Sequence, residues 1–427
     1  MRIDDRQSGA WTREREAGSS SVLGDGVARV APGLARRLFA DAGQPAIRVV
    51  LWDGTEFGAP AEAAVPRIRI HNFRTLLRLL IHPDLYFGEA YMSGELDVEG
   101  DLVRCLETAY RARRTAAGRR FRDRFAYGVL SRRRRNTPAG SRSNIHHHYD
   151  LGNDFYRLWL DREVMQYTCA YFPHDAATLE EAQVAKLDHV CRKLRLQPGD
   201  SVVEAGCGWG GLARHMARHY GVRVKAFNIS REQVRFAREQ AVAEGLADRV
   251  EYIEDDYRNV DGRFDAFVSV GMLEHVGPEH YPGMAEVIDR VLTPEGRGLI
   301  HTIGRNRAGP MNAWIEKRIF PGAHPPSLRE MMDLFEHRDF SVLDVENLRL
   351  HYAATLRHWL QRYGEHEEEV RAMFDDTFVR TWRLYLSGSV AAFTTGELQL
   401  YQVVFNRAAC NDIPLTREHI YRAGVDH

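Results

Sequence analysis

The stretch Val202-Val203-Glu204-Ala205-Gly206-Cys207-Gly208-Trp209-Gly210-Gly211 constrains this chain more than any other, because an apolar run meets a carboxylate and then four glycines within six residues. Glycine lets a backbone turn tightly and approach a ligand with no Cβ in the way, and a helix that follows presents unpaired N–H groups. Strand, loop and helix in that order make a nucleotide-cofactor site. Gly206, Gly208 and Gly211 also satisfy the dinucleotide spacing G-x-G-x-x-G. Two details weigh against a dinucleotide: Glu204 stands just before the glycines, and the next strand end, Val224-Lys225-Ala226-Phe227-Asn228, offers no carboxylate for a ribose. The segment alone favours S-adenosylmethionine and leaves a dehydrogenase open.

Beyond residue 140 the pattern alternates between two periods. Strand candidates at 201–205, 222–229, 250–253, 264–270, 298–302 and 340–348 are separated by amphipathic stretches such as 212–220, 231–244 and 280–292. That alternation predicts an α/β fold with a doubly wound, mainly parallel sheet. A late apolar run at 399–405 is expected to close the sheet as its edge, and insertions at 305–332 and 352–386 fall where such folds build pockets. Upstream, residues 47–52 and 67–70 read as strands flanking Asp53-Gly54 turn chemistry, and 73–81 as a helix. This is a smaller α+β N-terminal module. The division expected is a disordered start at 1–22, the module with its arginine-rich segment and linker at 23–140, and a catalytic domain at 141–427.

A net charge of −1 hides an asymmetry: residues 1–145 hold 25 Arg and no Lys against 17 Asp plus Glu, a surplus of eight positive charges. The arginines crowd between 111 and 142. They suit either a solvated linker or an anionic lipid surface, where each basic residue contributes about 1 kcal/mol. A nucleic-acid partner is not expected, because no aromatic stacking motif or RNA module accompanies the charge. Five scattered cysteines without C-x-x-C spacing suit a reducing compartment. No stretch approaches the about 20 apolar residues that span a bilayer, and residues 1–21 lack an apolar core. The expected location is cytoplasmic, in peripheral contact with the inner face of the membrane. His146-His147-His148 invites a metal, but adjacent side chains diverge and no Cys or carboxylate cluster completes a site.

Around the glycine loop stand His148-Tyr149-Asp150-Leu151-Gly152-Asn153-Asp154-Phe155-Tyr156, Tyr167-Thr168-Cys169-Ala170-Tyr171-Phe172, Gly271-Met272-Leu273-Glu274-His275-Val276-Gly277 and His301-Thr302-Ile303-Gly304. In this order and spacing they resemble the cyclopropane-fatty-acyl-phospholipid synthase family, which includes the mycolic acid cyclopropane synthases. The resemblance spans roughly residues 140–410, and Tyr86-Phe87-Gly88-Glu89-Ala90-Tyr91-Met92 with Gly94-Glu95-Leu96 is similar to the leader region of bacterial members. It implies a class I S-adenosylmethionine methyltransferase, Rossmann-like in fold, that methylates the double bond of unsaturated phospholipid acyl chains. A carbocation results, and in this family bound bicarbonate removes the proton that closes the cyclopropane ring. The module is expected to serve lipid docking or homodimer contacts.

Carried over by position, the bicarbonate cradle is the backbone at Cys169 and Ile303 with the side chains of Glu274, His301 and Tyr352. Glu274 is expected to accept from the bicarbonate hydroxyl or to orient His301. The cofactor positions are Tyr167, Thr168, Glu204, Gly206, Gly208, Asn228, Ile229, Gln233, Tyr257 and Arg258, with Asn228 standing where many relatives carry Thr. Each has a plainer reading beside it: Cys169 as a small buried apolar residue, His301 as a satisfied core histidine, Tyr352 as helix packing. The same methyl transfer ending in a methylene or methyl-branched chain, a non-catalytic lipid-binding protein, and a small-molecule or RNA methyltransferase are the alternatives.

Overall fold

The structure, a computed structural model, describes residues 22–60, 65–114 and 151–421. The start expected to be disordered, apart from Val22, lies outside them, as do the linker, the histidine triplet and most of the arginine-rich run. Val22 opens a helix, Val22–Asp41, that the sequence reading did not assign. Gly24, Gly26 and Pro32 within it are poor helix formers and obscure the pattern.

The first sheet has four strands, β1 (Arg48–Val50), β2 (Glu56–Gly58), β3 (Arg67–Ile70) and β4 (Leu96–Glu99), in the order β2-β1-β3-β4. Asp53 turns β1 into β2 by accepting from the Thr55 N–H at 2.9 Å, and Gly54 takes the φ of +83° that the turn needs. The Phe73–Ile81 helix spans the residues expected, capped by Asn72, whose side chain accepts from the Thr75 N–H at 2.8 Å.

The second sheet holds β5 (Ser201–Ala205), β6 (Arg223–Asn228), β7 (Val250–Glu254), β8 (Phe264–Val270), β9 (Leu292–Gly304), β10 (Phe340–Asn347) and β11 (Gln399–Arg407), in the order β10-β11-β9-β8-β5-β6-β7. From β9 to β7 the neighbours are parallel. Apolar clusters on both faces account for the double winding: Leu187, Leu212, Met216 and Val234 pack on one, Tyr281, Met284, Ile288 and Phe335 on the other.

One expectation is corrected. β11 is not the edge; it runs antiparallel between β9 and β10, and β10 is the edge. Eight of its nine residues are buried, as a strand flanked on both sides requires, whereas β10 is mostly half-exposed. Being last in sequence says nothing about being last in the sheet.

The two sheets are joined through the insertions. Helices Arg349–Glu365 and Asp376–Thr395 share a core with the first sheet and with Phe155 and Trp159. Arg380 donates to the carbonyls of Tyr91 and Leu96 and to Asp97, and stacks 4.3 Å from the Tyr91 ring centre. Arg318 grips Glu89 with two hydrogen bonds of 2.8 and 2.6 Å. A Cβ at Gly88 would stand 2.3 Å from the Trp314 ring, so glycine is what lets this helix seat against the insertion.

Candidate active site

The glycine loop closes against β6 as the N–H groups of Gly206 and Cys207 donate to the Phe227 carbonyl at 2.9 and 3.1 Å. Its four glycines serve different ends. A Cβ at Gly210 would meet the Tyr252 ring at 2.5 Å, and one at Gly211 the Val164 carbonyl oxygen at 2.4 Å, so these two are demanded by packing. At Gly208, with φ of +54°, a Cβ would meet nothing within 4 Å. That is the face of the loop open to a ligand.

Glu204 is 2% exposed, and burial pushes its carboxyl up to about 7 against the pull of Lys186 and Arg214. Its Oε2 has no hydrogen-bond partner. Asn228 donates to the Gly208 carbonyl at 3.2 Å and to Gln233 Oε1 at 2.8 Å, leaving the buried Gln233 Nε2 without a partner. Ile229 follows β6 half-buried. Tyr257 opens the short turn after β7, its phenol pushed up to about 12 by burial, and Arg258 holds Asp256 with two bonds of 2.8 Å. An orphaned acceptor, an orphaned donor and a loop face bare of Cβ fit the polar, nucleoside-bearing half of S-adenosylmethionine.

The segment 166–172 is held from beneath by the Leu179–Lys193 helix. Lys186 donates to Gln166 Oε1 at 2.6 Å and Thr168 Oγ1 at 3.0 Å, and Gln183 to the Thr168 carbonyl at 2.9 Å. Burial brings the Lys186 ammonium down to about 8. The sequence reading missed both residues, although each falls in the apolar stripe of the helix beside Leu179, Ala182 and Val190, where a polar side chain is itself the signal. Tyr167 meets Tyr385 hydroxyl to hydroxyl at 2.8 Å within a cluster of Tyr156, Trp159 and Trp359. The Cys169 thiol donates to the Ala170 carbonyl at 3.1 Å, and burial holds its pKa well above the usual range. A thiolate nucleophile is therefore not formed here.

Glu274 sits in the turn after β8, 6% exposed, accepting from Thr302 Oγ1 at 2.7 Å and from the Ile303 N–H at 3.1 Å. Burial raises its pKa, and those two bonds pull it back. His301 on β9 is 1% exposed, and burial keeps its imidazole neutral. Its Nδ1 lies 3.1 Å from Nε2 of Gln402, its register partner on β11. Gln402, not Glu274, therefore orients His301, a role the sequence could not reveal because it depends on β11 lying beside β9. The ring tautomer and the amide orientation together set the direction of that contact, and His301 Nε2 and Gln402 Oε1 are both buried with no partner. Tyr352, 7% exposed, packs on the Phe393 and Trp359 rings.

Cys169, Glu274, His301, Ile303 and Tyr352 line one mainly apolar cavity of about 840 Å³, together with Tyr167 and Thr168. Phe87 and Gly88 of the N-terminal module complete its wall. Glu204, Gly206, Gly208, Asn228, Ile229, Gln233, Tyr257 and Arg258 lie outside that lining, grouped at the ends of β5, β6 and β7. The two groups adjoin where Gly271 abuts Thr168 and Met272 abuts Gly206. Among the described residues no cluster of His, Cys, Asp or Glu could hold a metal, and no helix is long and apolar enough to cross a membrane.

A family described as mycolic acid cyclopropane synthetase matches residues 136–403, and a second, described as a domain of unknown function, matches residues 34–119. The chain is 38% identical over 362 residues to the cyclopropane-fatty-acyl-phospholipid synthase of Escherichia coli, covering 84% of this chain and 91% of that one. It is 36% identical over 396 residues to a probable fatty acid methyltransferase of Pseudomonas putida, covering 88% and 96%. Among solved structures, the mycolic acid cyclopropane synthase CmaA1 complexed with SAH and CTAB superposes with a TM-score of 0.59 at 30% identity, over 62% of this chain and 98% of that one.

Proposed function

The chain belongs to the mycolic acid cyclopropane synthetase family and is an S-adenosylmethionine-dependent methyltransferase, and from that premise we propose that it methylates the cis double bond of unsaturated phospholipid acyl chains and closes a cyclopropane ring. The observation that carries this reading is the buried, unpartnered His301 Nε2 in the lining of an apolar cavity beside Glu274.

S-adenosylmethionine, when bound, supplies an electrophilic methyl group. An alkene is a weak nucleophile, so the chain's task is to hold it still and dry, and positioning in an apolar slot supplies much of the rate. Glu204, Gly206, Gly208, Asn228 and Gln233 are assigned to the cofactor, with Tyr167, Thr168, Ile229, Tyr257 and Arg258 around them.

Ring closure needs a proton acceptor, and His301 is the wrong residue for it. We assign the Gln402 amide as the donor to Nδ1, which puts the ring proton on Nε2 and makes His301 a donor toward the cavity. A donating imidazole, a tyrosine hydroxyl and a buried carboxyl of raised pKa fit a small oxyanion, and bicarbonate is the acceptor assigned. Glu274, His301, Tyr352 and the backbone at Cys169 would hold it. Ile303 acts through Glu274, to which its N–H is already committed. Peripheral attraction of the arginine-rich segment to an anionic leaflet completes the proposal.

The test is mass spectrometry of fatty acids from a host lacking such an enzyme, expressing this chain and fed cis-monounsaturated lipid. A gain of one CH₂ that co-elutes with a cyclopropane standard is the expected result. A methylene or methyl-branched product, or none from protein that binds S-adenosylmethionine, overturns the assignment.

A further inference from the structure

We propose that Arg305 binds the phosphodiester of the lipid head group, so that the cavity recognises an acyl chain by its anionic end as well as by its double bond. This rests on the functional reading above and names what holds the substrate's other end.

Side chains alternate along a strand, so His301, Ile303 and Arg305 point to one face, and all three line the cavity. Arg305 lies just past β9 and continues its line by a bridge to Ser327. Four residues at about 3.3 Å each set it roughly 13 Å from His301. An extended chain advances about 3.5 Å per three bonds, so the same span holds about eleven bonds, which suits a mid-chain double bond.

Partnering singles Arg305 out among the arginines of the lining, which are Arg113, Arg114, Arg305 and Arg307. Arg113 is neutralised by Asp84 and Arg114 by Glu397. Arg305 instead donates through Nη1 to the Gly309 and Pro310 carbonyls at 3.1 and 2.5 Å and through Nη2 to Met311 Sδ at 3.4 Å, while its Nε is buried with no partner. The carboxylates whose fields reach it are engaged elsewhere: Glu330 closes a capping box with Ser327 and pairs with His324, and Glu397 faces Arg114. A guanidinium so placed carries positive charge and a spare donor into an apolar cavity. The residue is half-buried with its Nε fully enclosed; even partial burial of an ion without a counter-charge is unfavourable, and a phosphate oxygen supplies the missing partner in the planar geometry that arginine matches. Arg307, exposed at the rim, adds a second cation.

The experiment uses the full chain and neutral carrier vesicles doped with either dioleoyl phosphatidylglycerol or dioleoylglycerol, which share the acyl chain and differ in the phosphate. Arg305→Gln is expected to raise KM for the phospholipid about tenfold, the loss of one charge-assisted hydrogen bond, with kcat and KM for dioleoylglycerol within about twofold of the parent. Arg305→Lys, which keeps the charge without the fork, recovers part of the loss, and unchanged S-adenosylmethionine affinity shows that the variants are folded. A parent indifferent to the phosphate, or a variant whose phospholipid KM does not move, overturns the proposal. If the parent turns over neither lipid, the functional reading fails and the site is judged separately by calorimetry. Parent binding of a soluble short-chain phosphatidylglycerol, weakened about tenfold in Arg305→Gln and not competed by inorganic phosphate, sustains the site; equal binding by both, or competition by inorganic phosphate, overturns it.

Discussion

Glu204 and Glu274 are buried carboxylates at the ends of adjacent parallel strands, β5 and β8, in opposite surroundings. Glu204 lies in the field of two cations, Lys186 and Arg214, and keeps Oε2 without a partner. Glu274 has no ion pair among the described residues, and both its oxygens accept hydrogen bonds from Thr302 and Ile303. The cofactor side is therefore left incomplete, to be satisfied by what binds there. On the cavity side the carboxyl itself is fully partnered and holds the end of β9 in shape, and the open valence there belongs to its neighbour His301 instead. Removing the first charge should be felt in binding, and removing the second in turnover.

Glu274→Gln carries the largest expected effect. Glutamine offers one carbonyl oxygen to two converging donors and turns an NH₂ group toward one of them. Turnover is expected to fall by about a hundredfold to ten-thousandfold, the usual worth of a positioned acid or base, while S-adenosylmethionine affinity by calorimetry stays within about twofold. Retained turnover would break the contrast at its strongest point. Glu204→Gln should show the reverse pattern: affinity for S-adenosylmethionine weaker by about thirtyfold, and kcat at saturation little changed, since a hydrogen bond to a charged group contributes about 2 kcal/mol. Equal effects of both substitutions on kcat would mean that the two carboxylates form one site.

The contrast also has a signature in pH. The Glu204 carboxyl titrates near 7 in the folded chain against an ordinary 4.5. Between those values the folded carboxyl holds a proton that the unfolded one has lost, so the contribution of Glu204 to stability falls as pH rises through that window. Lys186, at about 8 when folded, stays protonated throughout and adds no slope there. Buried histidines run the other way, because burial lowers His275 to about 4 and His301 well below its ordinary value, and both parent and variant share that gain as pH rises. The expected outcome is therefore a Glu204→Gln Tm that gains on the parent's across the window. Parallel profiles would remove Glu204 as the titrating group.

The same division governs what could be read from sequence. The cofactor side is built from consecutive residues: β5, the glycine loop and the helix Gly211–Tyr220 follow without a break, and the expected bounds of β5 and β8 coincide with the structure. The cavity is assembled from segments as far apart in sequence as His82 and Leu400, joined by contacts such as Cys169 to Leu348 and Tyr167 to Tyr385. Family resemblance named its polar residues but not the groups that orient them. Gln402 acts only because β11 slots in beside β9, and Lys186 only because its helix passes beneath Thr168. Gln402 has no local spacing to betray it, and the polar break that Lys186 makes in its helix's apolar stripe does not say that Thr168 is its partner.

Glycines of the loop provide the finest test. At Gly211 an alanine Cβ would collide with backbone, so substitution there reports on packing and cannot separate fold from function. Gly208 is different: its Cβ direction is open, and only the positive φ opposes a side chain. Gly208→Ala should therefore cost about 1 kcal/mol of stability for the left-handed backbone, read as a small drop in Tm, and leave the fold intact. If the open face of Gly208 is where the cofactor lies, affinity for S-adenosylmethionine must fall by more than that strain explains, because the methyl group intrudes on the ligand itself. A variant with the small Tm loss but parental affinity would move the cofactor off this face, and with it the assignment of Glu204 as the waiting acceptor.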